Sequence, residues 1–292
     1  MTQTHPADEL DPRRLSAEGV ERYLRRHGLE ARKSRSQNHL VDGQVIEDIV
    51  ALADVATGSH VLEIGPGLGV LTGALLAAGA NVTAVEVDSR LAAHLRSRYE
   101  ERIASGDLRL VEADVLDTPL EEIATPPYDV VANLPYHITS PVLHYLLGDE
   151  PRPERFVLMV QREVAERIAS ARGDMSYLSV FVQYHARVRV AQTVPASAFE
   201  PSPDVQSALL VGETQPRRLD ADAEEQLWRL VQAGFRERRK MLHNVLPRQL
   251  PQVGRERFDT ALANVGIAPD RRPQTVSVEE WMALADTVGA LD

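Results

Sequence analysis

The sequence predicts an α/β fold: a parallel sheet flanked by helices, followed by a helical C-terminal region. Short apolar runs alternate with helical patterns from residue 45 to residue 170, as strands and crossover helices do. The run at 60–64 leads into a glycine loop and then a helix, which is the first unit of nucleotide-binding sheets. Ser16 and Asp42 each precede a helical pattern and can cap it.

Composition and charge exclude several classes of protein. The 292-residue chain has 43% hydrophobic and 26% charged residues, which is typical of globular proteins with a substantial core. It contains no cysteine, so disulfides, thiolate catalysis and cysteine metal sites are excluded. No apolar run approaches the ~20 residues of a membrane span, and residues 1–12 have no signal-peptide pattern. We therefore expect a cytoplasmic protein that does not cross a membrane.

Changes of pattern along the chain predict three regions. The polar, acidic N-terminus predicts a disordered tail over residues 1–15. The alternating pattern predicts one α/β domain over residues 16–212, in which residues 178–184 fit either a helix or a strand. Glycine and proline at 212–217 indicate a linker, and the helical pattern beyond predicts a C-terminal domain over residues 213–292.

Four predicted strands end in residues suited to nucleotide binding. Gly65 opens the loop Gly-Pro-Gly-Leu-Gly, whose glycines, among them Gly67, allow a tight turn and a close approach of a ligand to the backbone. Glu86 ends the second strand, where a carboxylate can accept from both hydroxyls of a ribose. Asp114 ends the third, where it fits an adenine amino group as well as an ordinary loop position. Because ligands of open α/β sheets bind at the carboxyl ends of strands, these residues and Asn133 predict one site.

The segment Asn133-Leu134-Pro135-Tyr136 follows the fourth strand and can recognise a flat, amino-bearing ring. Asn133 offers an acceptor oxygen, the peptide carbonyl beside Pro135 offers a second, and Tyr136 offers an aromatic face. The same residues also fit a strand followed by a proline turn with a buried tyrosine. The segment alone therefore leaves both interpretations open.

The charge of the chain is unevenly distributed. Lys and Arg number 32 and Asp and Glu number 43, which gives a net charge of −11 and argues against nucleic acid when taken alone. Residues 22–35, however, hold six basic residues and a single acid, and residues 236–240 read Arg-Glu-Arg-Arg-Lys. Local patches decide phosphate contact, so both segments are candidate nucleic-acid contacts. Solvated helix faces are the alternative for each.

Several motifs, in this order, resemble the KsgA/RsmA-type small-subunit rRNA adenine N6-dimethyltransferases. Each motif is weak alone, whereas their order and spacing over about residues 33–284 are specific. They are Ser36-Gln37-Asn38-His39-Leu40, Glu63-Ile64-Gly65-Pro66-Gly67-Leu68-Gly69, Glu86 with Asp88, Asp114, Asn133-Leu134-Pro135-Tyr136, Gln161-Arg162-Glu163-Val164, Phe199-x-Pro201-x-Pro203-x-Val205-x-Ser207-Ala208, Phe235-Arg236-Glu237-Arg238-Arg239-Lys240 and Arg272-Pro273-Gln274-Thr275-Val276-Ser277.

The resemblance implies a Rossmann-like class I methyltransferase sheet with helices on both faces, and S-adenosyl-L-methionine as the cofactor without a metal. It implies N6-dimethylation of two adjacent adenosines in the 3′-terminal hairpin of 16S rRNA, late in small-subunit assembly. We expect a monomer, although the sequence does not determine the oligomeric state. With the glycine loop, the cofactor-binding positions are Asn38, Leu40, Gly65, Gly67, Glu86, Asp114 and Asn133.

The resemblance also implies roles for residues around the reacting base and the RNA. Asn133 and the carbonyl beside Pro135 would accept from the adenine amino group, and Tyr136 and Phe199 would stack on the base. Their catalytic roles are expectations from the family motif. The predicted RNA-binding residues are Arg32, Lys33, Arg35, Arg236, Arg238, Arg239 and Lys240.

Departures from the family pattern occur beside the predicted pocket. Ser36 and His39 stand where the family usually has glycine and phenylalanine, and His137 stands where bacterial members commonly have asparagine. If the family's phenylalanine packs over the cofactor, His39 weakens or polarises that cover. A metal role for the two histidines has no support from ligand spacing.

Three other functions remain as alternatives. An erythromycin-resistance-type large-subunit rRNA adenine methylase would share fold, cofactor and mechanism, although that class usually has Ile and Phe at the positions of Leu134 and Tyr136. A non-catalytic ribosome assembly factor would use only the basic patches. An NAD-dependent dehydrogenase is disfavoured by the Gly-x-Gly-x-Gly spacing.

Overall fold

The chain divides into two compact units in the computed structural model, which describes residues 10–29 and 38–291. The first unit extends to Ala165 and includes Arg189–Thr214. The second unit comprises Glu166–Val188 and the chain from Gln215 onwards. None of the helices within the described ranges is long and apolar enough to cross a membrane.

The strands alternate with helices in the first unit, as the sequence predicts. In chain order β1 to β9 are His39–Leu40, His60–Ile64, Asn81–Glu86, Leu108–Glu112, Tyr128–Asn133, Arg155–Gln161, Ala186–Val194, Phe199–Glu200 and Ser207–Thr214.

The larger sheet has the strand order β4-β3-β2-β5-β6-β9-β7 among the described residues. The strands β2 to β6 run parallel to one another, and most of their apolar side chains are buried, as expected when helices cover both faces. Strand β9 pairs antiparallel with β6. Parallel alignment brings the carboxyl ends of β2, β3, β4 and β5 to one edge. The predicted α/β architecture with this sheet is confirmed.

The helices follow the predicted apolar periodicity. In chain order α1 to α13 are Ala17–His27, Gly43–Ala53, Val70–Ala77, Ser89–Arg98, Glu100–Ser105, Leu120–Ile123, Thr139–Gly148, Arg162–Ile168, Tyr177–His185, Ala221–Phe235, Leu242–Gln249, Arg255–Asn264 and Val278–Val288.

Local capping explains where the first helices begin. The Ser16 hydroxyl accepts from the amide of Gly19, and an Asp42 carboxylate oxygen accepts from the amide of Gln44 at 3.0 Å. Both side chains satisfy N–H groups that lack partners inside the helix. The two predicted caps are therefore confirmed.

Residues 10–15 differ from the predicted disordered tail. Leu10 is 1% exposed and belongs to the core of the first unit, and Pro12–Arg14 form a 3-10 turn. A Cβ atom on Gly43 would lie 1.8 Å from the Pro12 carbonyl oxygen, so the N-terminal segment rests directly on α2. The polar composition of residues 1–12 concealed this single buried leucine. The predicted tail over residues 1–9 lies outside the described residues.

The second unit includes a segment that the sequence assigns to the α/β domain. Residues 166–188 group with the C-terminal helices, and 178–184 are helical rather than extended, within α9. Tyr177, Phe181 and Tyr184 of α9 contact the ring of Trp228 in α10, at centroid distances of 6.2, 5.2 and 5.1 Å. Aromatic packing of this kind holds α9 to the helical unit.

The predicted linker at 212–217 is also shorter than expected. Strand β9 continues to Thr214, and Gly212 packs under the Phe156 ring, where a Cβ atom would lie 2.0 Å from the ring. The glycine therefore serves close packing inside the sheet rather than a flexible connection.

Candidate active site

A cavity of about 290 Å3 opens at the carboxyl ends of β2 to β5 in the first unit. It is lined by every described residue of the predicted cofactor site and by all the predicted catalytic residues: Asn38, Leu40, Gly65, Gly67, Glu86, Asp114, Asn133, Pro135, Tyr136 and Phe199. The structure therefore brings together the strand ends on which the sequence analysis relies.

The glycine loop adopts a backbone conformation that other residues resist. Gly65, Gly67 and Gly69 have φ angles of 68°, 59° and 79°. A Cβ atom on Gly69 would lie 2.6 Å from Leu95 and 2.7 Å from Tyr99. The Tyr99 hydroxyl donates to the Gly69 carbonyl at 2.6 Å, so this residue between α4 and α5 supports the loop from behind. The loop is thus fixed before any ligand binds.

Glu86 is oriented by the backbone around it. One carboxylate oxygen accepts from the Gly67 amide at 3.1 Å, and the other accepts from the Asp88 amide at 2.9 Å. Burial raises the pKa of Glu86, whereas these two backbone hydrogen bonds act in the opposite direction. Each oxygen keeps acceptor capacity for a further donor. A fixed carboxylate at the cavity wall is the arrangement that a ribose diol requires.

Glu63 is a buried acid for which the sequence analysis has no role. It is 1% exposed, and the Thr72 hydroxyl donates to its carboxyl at 2.6 Å. Burial raises the pKa of Glu63 to about 8, helped by the neighbouring charge of Glu86. The group is therefore largely protonated at neutral pH. An acid inside an otherwise apolar strand was the signal that could have revealed it.

Asp114 and Val87 border the cavity near Glu86. An Asp114 oxygen caps the turn that follows β4, accepting from the Leu116 amide at 3.0 Å, while the residue remains exposed. Val87 is 54% exposed, the largest such value among the exposed large hydrophobic residues within the described chain. An apolar side chain and an exposed carboxylate that line the same cavity suit an aromatic ring that bears an amino group. Val87 is not among the site residues predicted from the sequence.

The two-residue strands β1 and β8 close one side of the cavity. They pair antiparallel, with His39 opposite Glu200 and Leu40 opposite Phe199, and the Val41 amide donates to the Ala198 carbonyl at 2.8 Å. The N-terminal motif and Phe199, about 160 residues apart in sequence, therefore form one wall. Ser36, which departs from the family pattern, lies outside the described residues.

His39 is a neutral part of this wall. It is 9% exposed, and burial lowers its pKa to about 4. Its Nε2 atom is buried without a hydrogen-bond partner among the described residues, and its Nδ1 atom lies 3.8 Å from the position a Cβ atom on Gly67 would take. The imidazole thus packs against the glycine loop as an uncharged ring, with one unsatisfied polar atom in the described part of the chain.

The Asn-Leu-Pro-Tyr segment lines the same cavity beside the glycine loop, where a Cβ atom on Gly65 would lie 3.8 Å from Pro135. Asn133 ends β5, and the Leu134 amide donates to the Met159 carbonyl at 3.1 Å, which fixes the exit from the sheet. The Pro135 carbonyl accepts from the Ile138 amide at 3.1 Å and closes a 3-10 turn. No described residue donates to the Leu134 carbonyl, so the acceptor beside Pro135 is on its N-terminal side. Tyr136 follows with its ring half-buried.

The predicted RNA-binding residues fall in different places. Arg236, Arg238, Arg239 and Lys240 are exposed in the turn after α10, in the second unit. Arg238 pairs with Asp174 at 3.1 Å, so part of this patch is neutralised within its own unit. The predicted contacts Arg32, Lys33 and Arg35 lie outside the described residues. In the described part of the 22–35 segment, Arg22 and Arg25 form exposed pairs with acids one turn earlier.

Fold and site together define a class I methyltransferase. A parallel sheet carries a glycine loop after β2, an acid at the end of β3 and an amide at the end of β5. Two solved structures agree. The 23S rRNA methyltransferase ErmE is 28% identical with a TM-score of 0.69, over 86% of this chain and 99% of that one. A dimethyladenosine transferase from Plasmodium falciparum, at 23% identity and a TM-score of 0.69, covers 82% and 94% and supports the fold.

Residues 28–288 match the family described as Ribosomal RNA adenine dimethylase, and the chain belongs to this family. A Ribosomal RNA small subunit methyltransferase A of Anaeromyxobacter sp. (strain K) is 41% identical over 280 residues, covering 91% of this chain and 96% of the relative. The protein of the same name from Dehalococcoides mccartyi (strain ATCC BAA-2100 / JCM 16839 / KCTC 5957 / BAV1) is 39% identical over 259 residues, or 88% of each chain. The resemblance read from the motifs is confirmed.

Proposed function

We propose that this enzyme transfers methyl groups from S-adenosylmethionine to N6 of two adjacent adenosines in the 3′-terminal hairpin of 16S rRNA, within assembling small subunits. One observation carries the proposal: a single cavity is lined both by a glycine loop of the nucleotide-binding type and by the Asn-Leu-Pro-Tyr segment. The names of the relatives at 39–41% identity support the small subunit, against 28% for the 23S enzyme.

The residues of the cavity fit this cofactor. The positive-φ glycines leave room for a ligand against the backbone, and Glu86 presents acceptors for a ribose. Val87 and the exposed Asp114 suit the apolar face and the amino group of an adenine. When bound, S-adenosylmethionine supplies a methyl group on a sulfonium, which is an excellent leaving group. No group of three or more His, Asp or Glu that could hold a metal occurs within residues 10–29 and 38–291.

The Asn-Leu-Pro-Tyr segment performs the recognition of the base. An adenine amino group is a weak nucleophile because its lone pair is delocalised into the ring. When the Asn133 side-chain oxygen and the Leu134 carbonyl accept its two hydrogens, the nitrogen turns its lone pair towards the methyl donor. Tyr136 and Phe199 hold the ring between them. Catalysis then rests on positioning, without a strong base.

The target base must leave its stack before it can enter the cavity, because the edge of a sheet cannot reach an amino group inside a helix. The exposed cations Arg239 and Lys240, together with Arg236 and the 22–35 segment, supply phosphate contacts on either unit. A monomer acting in the cytoplasm is consistent with this proposal.

The decisive experiment is transfer of a labelled methyl group to unmethylated small subunits, large subunits and naked rRNA, followed by mapping of the modified base. We expect label on N6 of adjacent adenosines in the small subunit. Asn133→Ala should abolish transfer while S-adenosylmethionine binding stays measurable by calorimetry, and Asn264→Ala, an exposed asparagine of the second unit, should change neither. Label on the large subunit, or full transfer by Asn133→Ala, would contradict the proposal.

Phosphate contact predicts a salt effect. Replacing Arg239 and Lys240 by alanine should weaken binding to small subunits and reduce the slope of log affinity against log salt by about 2, roughly one for each lost phosphate contact. The exposed Arg109 on β4 is a matched control, and Arg109→Ala should leave the slope unchanged. A slope that is identical in the double variant and the wild type would remove this turn from the RNA interface.

A further inference from the structure

The hydroxyl of Tyr136 has a buried partner. It lies 2.8 Å from the Oγ of Ser207, and Ser207 is 0% exposed. Ser207 belongs to the motif around Phe199 in the sequence, where it has no assigned role. It is not among the residues that line the cavity, and its hydroxyl contacts the cavity through Tyr136.

We propose that Ser207 is a positioning residue for the methyl transfer, holding the ring of Tyr136 in the orientation in which it stacks on the target adenine. The inference rests on the proposed function, because it assigns Tyr136 the target base. The new element is that Ser207, a residue outside the cavity, contributes to recognition of that base.

The two partners differ in how firmly they are held. Ser207 is the first residue of β9 and pairs in register with Gln161 of β6, as the last pair of a continuous seven-pair ladder. Tyr136 stands in a short 3-10 turn at the cavity edge, and its ring is only partly covered. Burial raises the pKa of Tyr136, so the phenol is neutral at physiological pH and remains able to donate. Strand β9 therefore holds the ring of Tyr136, which the short 3-10 turn around Tyr136 constrains less.

The same short segment also carries Phe199, the second aromatic residue to which base stacking is assigned. Phe199 begins β8, where Leu40 pairs with it, and Ser207 begins β9, only eight positions later. One piece of chain therefore bears one of the two aromatic side chains and holds the hydroxyl of the other. Stacking on a flat ring depends on the orientation of each aromatic side chain, which such attachment restricts.

A double-mutant cycle tests this assignment. Ser207→Ala and Tyr136→Phe each remove one side of the hydrogen bond while keeping the ring, and each should lower kcat for methyl transfer by about threefold to tenfold, the effect of one hydrogen bond. The double variant should lose no more than either single variant, because both remove the same contact. Affinity for S-adenosylmethionine, measured by calorimetry, should be unchanged in all three.

Ser202→Ala is the matched control. It lies on the same segment, its hydroxyl donates to the Ala196 carbonyl at 3.0 Å, and its removal should leave kcat unchanged. Losses that add in the double variant, or a Tyr136→Phe variant with full kcat, would overturn the inference even if Ser207→Ala fails to fold. Absence of transfer by the wild type would instead refute the proposed function, so the two failures are distinguishable.

Discussion

The buried Glu63 should make the free energy of unfolding depend on pH. The carboxyl is buried and its pKa is raised from 4.5 to about 8, so between these pH values the folded protein keeps a proton that the unfolded chain releases. Glu63→Gln retains the shape and an acceptor oxygen for the Thr72 hydroxyl but cannot ionise. The wild type should therefore lose stability relative to the variant as pH rises from 4.5 to 8, by about 1.4 kcal/mol per pH unit and about 5 kcal/mol in total.

Urea unfolding at pH 5, 6, 7 and 8 measures this difference directly. The sign follows from linkage: a raised pKa in the folded state gives a contribution that is fully present below 4.5 and lost as pH rises towards 8. Glu122→Gln, at an exposed position of α6, serves as the control for the loss of an exposed carboxyl group. A stability difference between wild type and Glu63→Gln that is constant from pH 5 to 8 would refute the reasoning.

Three further substitutions test other contacts. His39→Phe removes a buried unsatisfied nitrogen, so it should raise the free energy of unfolding by about 1–3 kcal/mol. The gain should grow as pH falls from 6.5 to about 4, because the lowered pKa of His39 makes only the unfolded wild type take up a proton in that range. A gain that is the same at pH 7 and pH 5 would contradict the buried neutral ring. Gly43→Ala would press on the Pro12 carbonyl and should cost about 1–3 kcal/mol in urea unfolding, whereas unchanged stability would mean that the N-terminal segment does not rest on α2. Tyr99→Phe removes the donor to the Gly69 carbonyl and should weaken S-adenosylmethionine binding about threefold to tenfold by calorimetry; equal affinity would show that the loop needs no such support.

The sheet could be predicted because its signal is local. The strand His60–Ile64 has the predicted bounds, since a short apolar run between helical patterns leaves little choice of secondary-structure type. The convergence of four strand ends followed from parallel topology alone. The segment 178–184 could not be decided, because its helix is fixed by aromatic contacts to α10 that no local pattern encodes.

The parts of the site that could not be predicted depend on contacts distant in sequence. The pairing of β1 with β8 involves two residues on each side, too few to leave a periodic pattern. The anchoring of Tyr136 by Ser207 joins positions 71 residues apart. The protonated state of Glu63 depends on its burial. The only sign of that burial in the sequence is an acid among apolar neighbours. Sequence motifs located the chemical groups, whereas the hydrogen bonds that orient them required the structure.

The order of synthesis makes β9 the last strand to reach the sheet. It pairs with β6 over seven positions, from Arg155 opposite Glu213 to Gln161 opposite Ser207, yet the ribosome makes β7 before it. Until about residue 214 has emerged, a growing chain carries the apolar edge of β6 uncovered, which is a template for pairing with other chains. A translation pause or truncation between residues 161 and 207 would expose this edge. The enzyme therefore needs protection from aggregation most during the synthesis of its own central segment.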